Sequence, residues 1–270
     1  MMEPAASRDD GVAIETRDGV LRITLARPAR KNALDVAAVQ RIVAALESAA
    51  TDDALRAVVL TGSGSDFCAG ADWVAANAGA KRPRTGSLQR RMPLQAHRLI
   101  ERLLALQLPV VCGVRGFAAG LGFQLALAAD FTIASESACF WQPFIERGFS
   151  PDSGATWLLP RLVGVARAKE LLLLGRKLTG VEAAEWGLVH RAVPDGELDA
   201  AVASLVEKLA QGPTVAIGLT KQCLQRSLET GLVPAMEGES FALELSSRTA
   251  DFREGLLAFS ERRAARFEGH

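Results

Sequence analysis

The sequence predicts an α/β fold of repeated strand–strand–helix units followed by a helical tail. Three observations lead there. Short β-like runs come in pairs ahead of helical patterns, the pattern turns mostly helical after Gly180, and 270 residues suffice to bury a sizeable core. A division near residue 200 follows, with residues 1–200 as a strand-rich core and 201–270 as a helical region.

In chain order, the first strand runs from Val12 to Arg17, and Asp18-Gly19 is a two-residue hairpin turn. Leu21, Ile23 and Leu25 then alternate with Arg22 and Thr24, as in a half-buried strand. Asp35 is placed to cap the next helix, whose apolar stripe is Val39, Ile42, Val43 and Leu46. Residues 56–62 read as a short buried strand. The pattern returns as a strand over 108–116, a buried helix over 121–129 and a strand over 130–135. Further on, Val202, Leu205, Val206 and Leu209 form one amphipathic stripe, and 213–230, 234–249 and 251–263 read as helices. Apolar helices at the end of a chain suit packing on a partner subunit.

Composition narrows the function. Hydrophobic residues make up 49% and charged residues 23%, as in ordinary globular proteins. Lys+Arg and Asp+Glu balance at 31 each, which gives no electrostatic reason to seek nucleic acid or an anionic membrane. The four cysteines, Cys68, Cys112, Cys139 and Cys223, are far apart and form no C-x-x-C pair, which fits a reducing cytosol better than a zinc site or a disulfide framework. The N-terminus has early acids and no apolar signal region, and no apolar run reaches the roughly 20 residues of a membrane span. The expectation is a cytoplasmic protein.

Two glycine-bearing segments look like anion-binding turns. One is DFCAGADW (66–73), passing through Gly70 toward a helix; the other is RGFAAGLGFQLALAAD (115–130), where Gly116, Gly120 and Gly122 precede a helix. Free backbone N–H groups at such places attract negative charge, and two converging on one carbonyl oxygen would make an oxyanion hole. The spacing is not that of a dinucleotide fold. Histidines are few: His97, His190 and His270 share no metal-ligand spacing, and no serine sits in G-x-S-x-G. His97 reads as a surface or packing residue. Residues 74–92 carry Lys81, Arg82, Arg84, Arg90 and Arg91, which read either as a solvated loop or as a lid contacting phosphate groups. In QPFIERGFSPDSGATW (142–157), Asp152 either caps a helix or moves a proton.

Five segments in order carry a resemblance: LARPARKNALD (25–35), DFCAGADW (66–73), VRGFAAGLGFQLALAAD (114–130), GFSPDSGATWLLPRLVG (148–164) and DFREGLLAFSERRAARF (251–267). Their order and spacing resemble the enoyl-CoA hydratase/isomerase (crotonase) superfamily across almost the whole chain. That resemblance implies a crotonase-like spiral of ββα turns, C-terminal helices that mediate trimer or hexamer formation, and an acyl-CoA thioester as substrate. No separate cofactor is implied, since coenzyme A enters with the substrate. The backbone N–H groups of Ala71 and Leu121 would hold the thioester oxygen. Arg30, Ala33 and Ala69 fall at coenzyme A-binding positions, and Phe259 and Arg262 match tail positions that approach the adenine end across a subunit boundary. Trp73, Gln124, Phe144, Phe149 and Trp157 fall around the acyl pocket.

Hydratases of this family carry two glutamates, where this chain has Gln124 and Phe144. A glutamine exchanges no proton at neutral pH and a phenylalanine offers none. The Asp152 segment instead resembles enoyl-CoA isomerases, including those of phenylacetate breakdown, in which an acid here is the single base. Glu146 is a weaker candidate beside Arg147. The expected function is therefore a double-bond shift from a 3-enoyl to a 2-enoyl thioester. The alternatives are a hydratase with displaced acids, a dehalogenase-like enzyme, or a non-enzymatic acyl-CoA scaffold or RNA binder.

Overall fold

The structure is a computed structural model and describes residues 11–72 and 84–270. Strand β1 (Val12–Arg17) turns into β2 (Val20–Leu25) through Asp18 and Gly19, both in the left-handed region at φ 51° and 71°. That is the backbone a two-residue hairpin needs. The pair is antiparallel, with Val12 opposite Leu25. Helix α1 (Val36–Ala49) follows, and Asp35 caps it by accepting the Ala38 N–H at 2.9 Å.

Strands β3 (Ala57–Gly62), β4 (Val110–Val114), β6 (Phe131–Ser135) and β9 (Arg191–Val193) extend this sheet in parallel, in the order β1-β2-β3-β4-β6-β9. A second, three-stranded sheet is built from β5 (Phe117–Ala119), β7 (Cys139–Trp141) and β8 (Leu178–Thr179). Thus β4 and β5, like β6 and β7, are consecutive strands shared between two sheets, and a helix follows each pair. These are the ββα turns expected from the sequence.

Period-two burial explains the layering. Leu21, Ile23, Leu25, Val58 and Leu60 point into the main core with the α1 stripe of Val39, Ile42, Val43 and Leu46. Val20, Ala57, Val59 and Val111 point the other way, against Val202 and Val206. Those last two lie on α7 (Leu198–Ala210), so by packing this helix belongs to the core, although the division at 200 places most of it in the tail.

The remaining helices among the described residues are α2 (Ser87–Arg91), α3 (Ala96–Ala105), α4 (Leu121–Ala128), α5 (Ala155–Leu173), α6 (Gly180–Glu185), α8 (Thr214–Ser227), α9 (Leu232–Ser246) and α10 (Ala250–Glu261). All eight residues of α4 are buried, so it runs through the centre of the molecule. Helix α5 kinks at Gly164, whose φ is 74°. The tail is tied to the core by a buried ion pair. Lys221 Nζ of α8 lies 2.7 Å from Asp130 Oδ2 and also donates to the carbonyls of Leu103 and Leu108. Among the described residues, no helix is long and apolar enough to cross a membrane.

Candidate active site

A cavity of about 470 Å³ opens where α4, the 66–72 loop and the turn before α5 meet. Its wall is mostly apolar, with Leu34, Val36, Leu88, Met92, Leu121, Phe144 and Phe149 contributing. The Phe144 and Phe149 rings meet edge to face at 5.5 Å.

The 66–72 loop is anchored on two sides. Cys68 bridges to β5, its N–H donating to the Phe117 carbonyl and its own carbonyl accepting the Ala119 N–H. Residues 69–72 run beside 31–34: Ala69 N–H donates to Lys31 O, Leu34 N–H to Gly70 O and Asp72 N–H to Leu34 O, each at 2.8 Å. This ladder leaves the Ala71 N–H without a partner among the described residues. Leu121, the first residue of α4, has an N–H that no intrahelical carbonyl can reach. Gly70 brings the two together. With a φ of 92° it takes a conformation suited to glycine, and a Cβ there would lie 2.6 Å from the Ala119 carbonyl oxygen and 3.3 Å from the Leu121 nitrogen. Gly120, capping α4 with φ 53°, makes the matching turn. Gly122 lies inside the helix rather than ahead of it.

Asp152 enters the same cavity from the turn before α5. Ser153 and Gly154 both take left-handed conformations, at φ 52° and 83°, and Gly154 is the helix cap. No side chain caps α5, so the Asp152 carboxyl does not serve as its N-cap. The main chain at Asp152 is held instead: its carbonyl accepts the Ala155 N–H at 3.1 Å and lies 3.4 Å from Gln124 Nε2. Burial raises the Asp152 pKa above the ordinary carboxylate value, while the Ser153 hydroxyl and the His97 imidazole pull it part of the way back.

Three carboxylates line the cavity among the described residues, and two are engaged elsewhere. Asp35 caps α1 and pairs with Arg27 at 3.0 Å, and Asp72 pairs with Arg30 at 2.9 Å and Arg27 at 3.4 Å. Asp152 is the one with no cation paired to it.

Of the residues anticipated from sequence, Ala69, Ala71, Leu121, Phe144, Phe149 and Asp152 line the cavity together. Gln124 does not. It is wholly buried behind the wall, 3.3 Å from Gln142 Oε1, and acts as backing for the Asp152 turn. Trp157 is also absent from the wall, because α5 turns it toward the core and stacks it under the Arg161 guanidinium at 4.0 Å. Arg30 and Ala33 stand outside the wall: Arg30 is drawn to Asp72, and the Ala33 carbonyl accepts from Arg27. Phe259, 85% exposed, and Arg262, the left-handed cap of α10, sit on the tail and do not reach this cavity. Trp73 lies outside the described residues, as do Lys81 and Arg82 of the basic stretch. From that stretch Arg91 does line the cavity, and Arg147 does so from the turn after Phe144. Glu146 does not; its carboxylate takes the Trp141 indole N–H at 3.3 Å.

The sequence reading missed Asp72 and Asn32. The Asp72 side chain is 6% exposed, yet its pairing with Arg27 and Arg30 spans more than forty residues of chain and leaves no local pattern.

Comparison with known proteins places this arrangement. A family model described as enoyl-CoA hydratase/isomerase matches residues 15–270. The chain is 38% identical over 251 residues to the 1,2-epoxyphenylacetyl-CoA isomerase of Escherichia coli (strain K12), covering 93% of this chain and 95% of that protein. It is 35% identical to the 2,3-dehydroadipyl-CoA hydratase of the same organism, covering 95% and 98%. A solved enoyl-CoA hydratase from Bacillus anthracis superposes with a TM-score of 0.89 at 32% identity, covering 96% of this chain and all of that one.

Proposed function

This chain belongs to the enoyl-CoA hydratase/isomerase family, and from that premise we propose that it shifts a double bond in an enoyl-CoA, from the 3- to the 2-position. Membership makes it an acyl-CoA enzyme, which displaces the scaffold and RNA-binding readings. Relatives carry both isomerase and hydratase names, so the residues must decide between the two.

One observation carries the choice: among the described residues the cavity wall holds a single carboxylate in no ion pair, Asp152, and offers phenylalanine where a second acid would stand. Hydration uses one group to activate water and commonly a second to share the proton. A double-bond shift needs only one. In the proposed reaction Asp152 takes a proton from the α-carbon of the 3-enoyl thioester. The electron pair spreads over the dienolate, whose oxygen is held by the Ala71 and Leu121 N–H groups. The protonated acid then returns its proton to the γ-carbon, leaving the conjugated 2-enoyl thioester. Desolvation by the Phe144 and Phe149 wall supports this role, since a raised pKa brings the carboxylate closer to that of its carbon acid. A dehalogenase-like attack by the same aspartate is less well supported, because Phe144 supplies no polar partner for a leaving group.

The nucleotide end is proposed to be completed by a second copy of the chain in a trimer or a dimer of trimers. Helix α9 has no buried residue, and Leu232, Phe241 and Leu243 on it are exposed. Phe259 and Arg262 would then approach coenzyme A of a neighbouring subunit, with Arg30, Ala33 and Ala69 as its contacts within the chain. A cytoplasmic setting fits this substrate.

The test is to mix the protein with 3-enoyl-CoA and follow the ultraviolet absorbance of the conjugated thioester, with 2-enoyl-CoA as comparison. Conjugation arising from the 3-enoyl substrate supports the isomerase. Rapid loss of conjugation from the 2-enoyl substrate, untouched by Asp152→Asn, contradicts it.

A further inference from the structure

The carbonyl of Gly70 and the N–H of Ala71 belong to one planar peptide unit, so fixing the first aims the second. Leu34 N–H holds that carbonyl at 2.8 Å. On the other side of Gly70, its own N–H donates to the Cys68 sulfur at 3.3 Å, and the Cys68 thiol donates to the Asn32 carbonyl at 3.3 Å. Both peptide planes flanking Gly70 are therefore tied to the segment 32–34.

That segment is itself fixed by Asn32, which is 1% exposed and left-handed at φ 54°, a conformation asparagine tolerates better than most residues. Its Nδ2 donates to the carbonyls of Ser63 at 2.9 Å and Asp66 at 2.7 Å, while its Oδ1 accepts the Arg27 N–H at 2.9 Å. The second amide rests on the same support. A Cβ added to Gly122 would lie 2.4 Å from the Cys68 carbonyl oxygen and 2.7 Å from its Cβ, so the first turn of α4 sits directly on Cys68.

We propose that Asn32 and Cys68 are positioning residues, a buried strut that aims the Ala71 and Leu121 amides at one point in the cavity. This role rests on the enolate chemistry proposed above. The sulfur can fill both of its functions because burial pushes its pKa up to about 12, which keeps the thiol protonated as donor to Asn32 while its lone pairs accept from Gly70. A serine keeps both capacities and an alanine neither. Neither Asn32 nor Cys68 lines the cavity, so the strut acts on the strength of oxyanion binding and not on acyl-CoA capture.

The experiment compares wild type, Cys68→Ala and Cys68→Ser in three readouts: kcat and KM for 3-enoyl-CoA, the infrared carbonyl stretch of a bound saturated acyl-CoA, and thermal melting. In Cys68→Ala, kcat is expected to fall about tenfold with KM within about twofold, a fraction of what losing a whole oxyanion donor costs. The carbonyl stretch should move back toward its value in water, and Cys68→Ser should restore both. An alanine variant that melts lower but keeps kcat and the carbonyl frequency overturns the proposal, because the thiol would then only fill space. Should the alanine variant not fold, Asn32→Asp, which retains the acceptor for Arg27 and loses both donated bonds, carries the same comparison with the same expected and contrary results. A wild-type protein that polarises the carbonyl without isomerising 3-enoyl-CoA would leave the strut intact and overturn the assigned reaction instead.

Discussion

The two ends of the proposed acyl-CoA site are built differently. At the reacting end, Ala71, Leu121, Phe144, Phe149 and Asp152 come from three separate segments, and one chain brings them all to a single cavity. At the proposed nucleotide end, Arg30 is turned to Asp72, and Phe259 and Arg262 stand on the tail away from that cavity. The reacting end is set in a sheet-backed core with both faces buried. The proposed nucleotide end would depend on helices α8 to α10, which expose Leu224, Leu228, Phe241 and Leu256. Under the proposed function, bond-making chemistry is encoded within one chain, whereas gripping the rest of the substrate would be left to an assembly.

That contrast can be broken at several points. The largest effect is expected from Asp152→Asn, which keeps the shape of the reacting end but removes its proposed base; kcat should fall by roughly 10²–10⁴. Its folding stability should hold or rise at neutral pH, as seen by thermal melting, because burial disfavours the ionised form that the variant no longer has. Next comes the link between the two ends. Burial pushes Asp130 up and Lys221 down, each charge partly restoring the other. Lys221→Met should cost about 3–5 kcal/mol in urea unfolding, since it strands the Asp130 charge beneath α8.

Phe241→Glu, on the 73% exposed ring of α9, should shift the protein toward monomer in sedimentation. It should raise KM for acyl-CoA more than it lowers kcat, because the reacting end lies within one chain. Smaller still is the pH response. The raised Asp152 pKa places the acid limb of kcat/KM above the ordinary carboxylate value near 3.9, with activity lost as pH falls through that higher value. Least of all, Asp35→Ala removes the α1 cap and should cost about 1 kcal/mol in chemical denaturation, with little effect on the proton transfer.

The sequence was legible where its signals are local. The hairpin at Asp18-Gly19, the cap at Asp35 and the α1 stripe could be read because turn chemistry and periodicity involve neighbouring residues. The place of α7 could not. Its stripe announced a buried face, but not that the face would cover the rear of the sheet at Val59 and Val111. The residues that the resemblance singled out, Ala71, Leu121 and Asp152, line one cavity, whereas Trp157 does not, because α5 turns its ring toward the core under Arg161. The bonds donated by Asn32 Nδ2 and the ion pairs of Asp72 were invisible because each joins segments more than thirty residues apart.

The central claim is that one carboxylate carries one proton from the α- to the γ-carbon. The most direct measurement uses 3-enoyl-CoA deuterated at the α-carbon and locates the label in the product by mass spectrometry and NMR. The account predicts a 2-enoyl product with part of the deuterium at the γ-carbon, and loss of that transfer in Asp152→Asn. A 3-hydroxyacyl product, or label transfer that persists unchanged in Asp152→Asn, would contradict it.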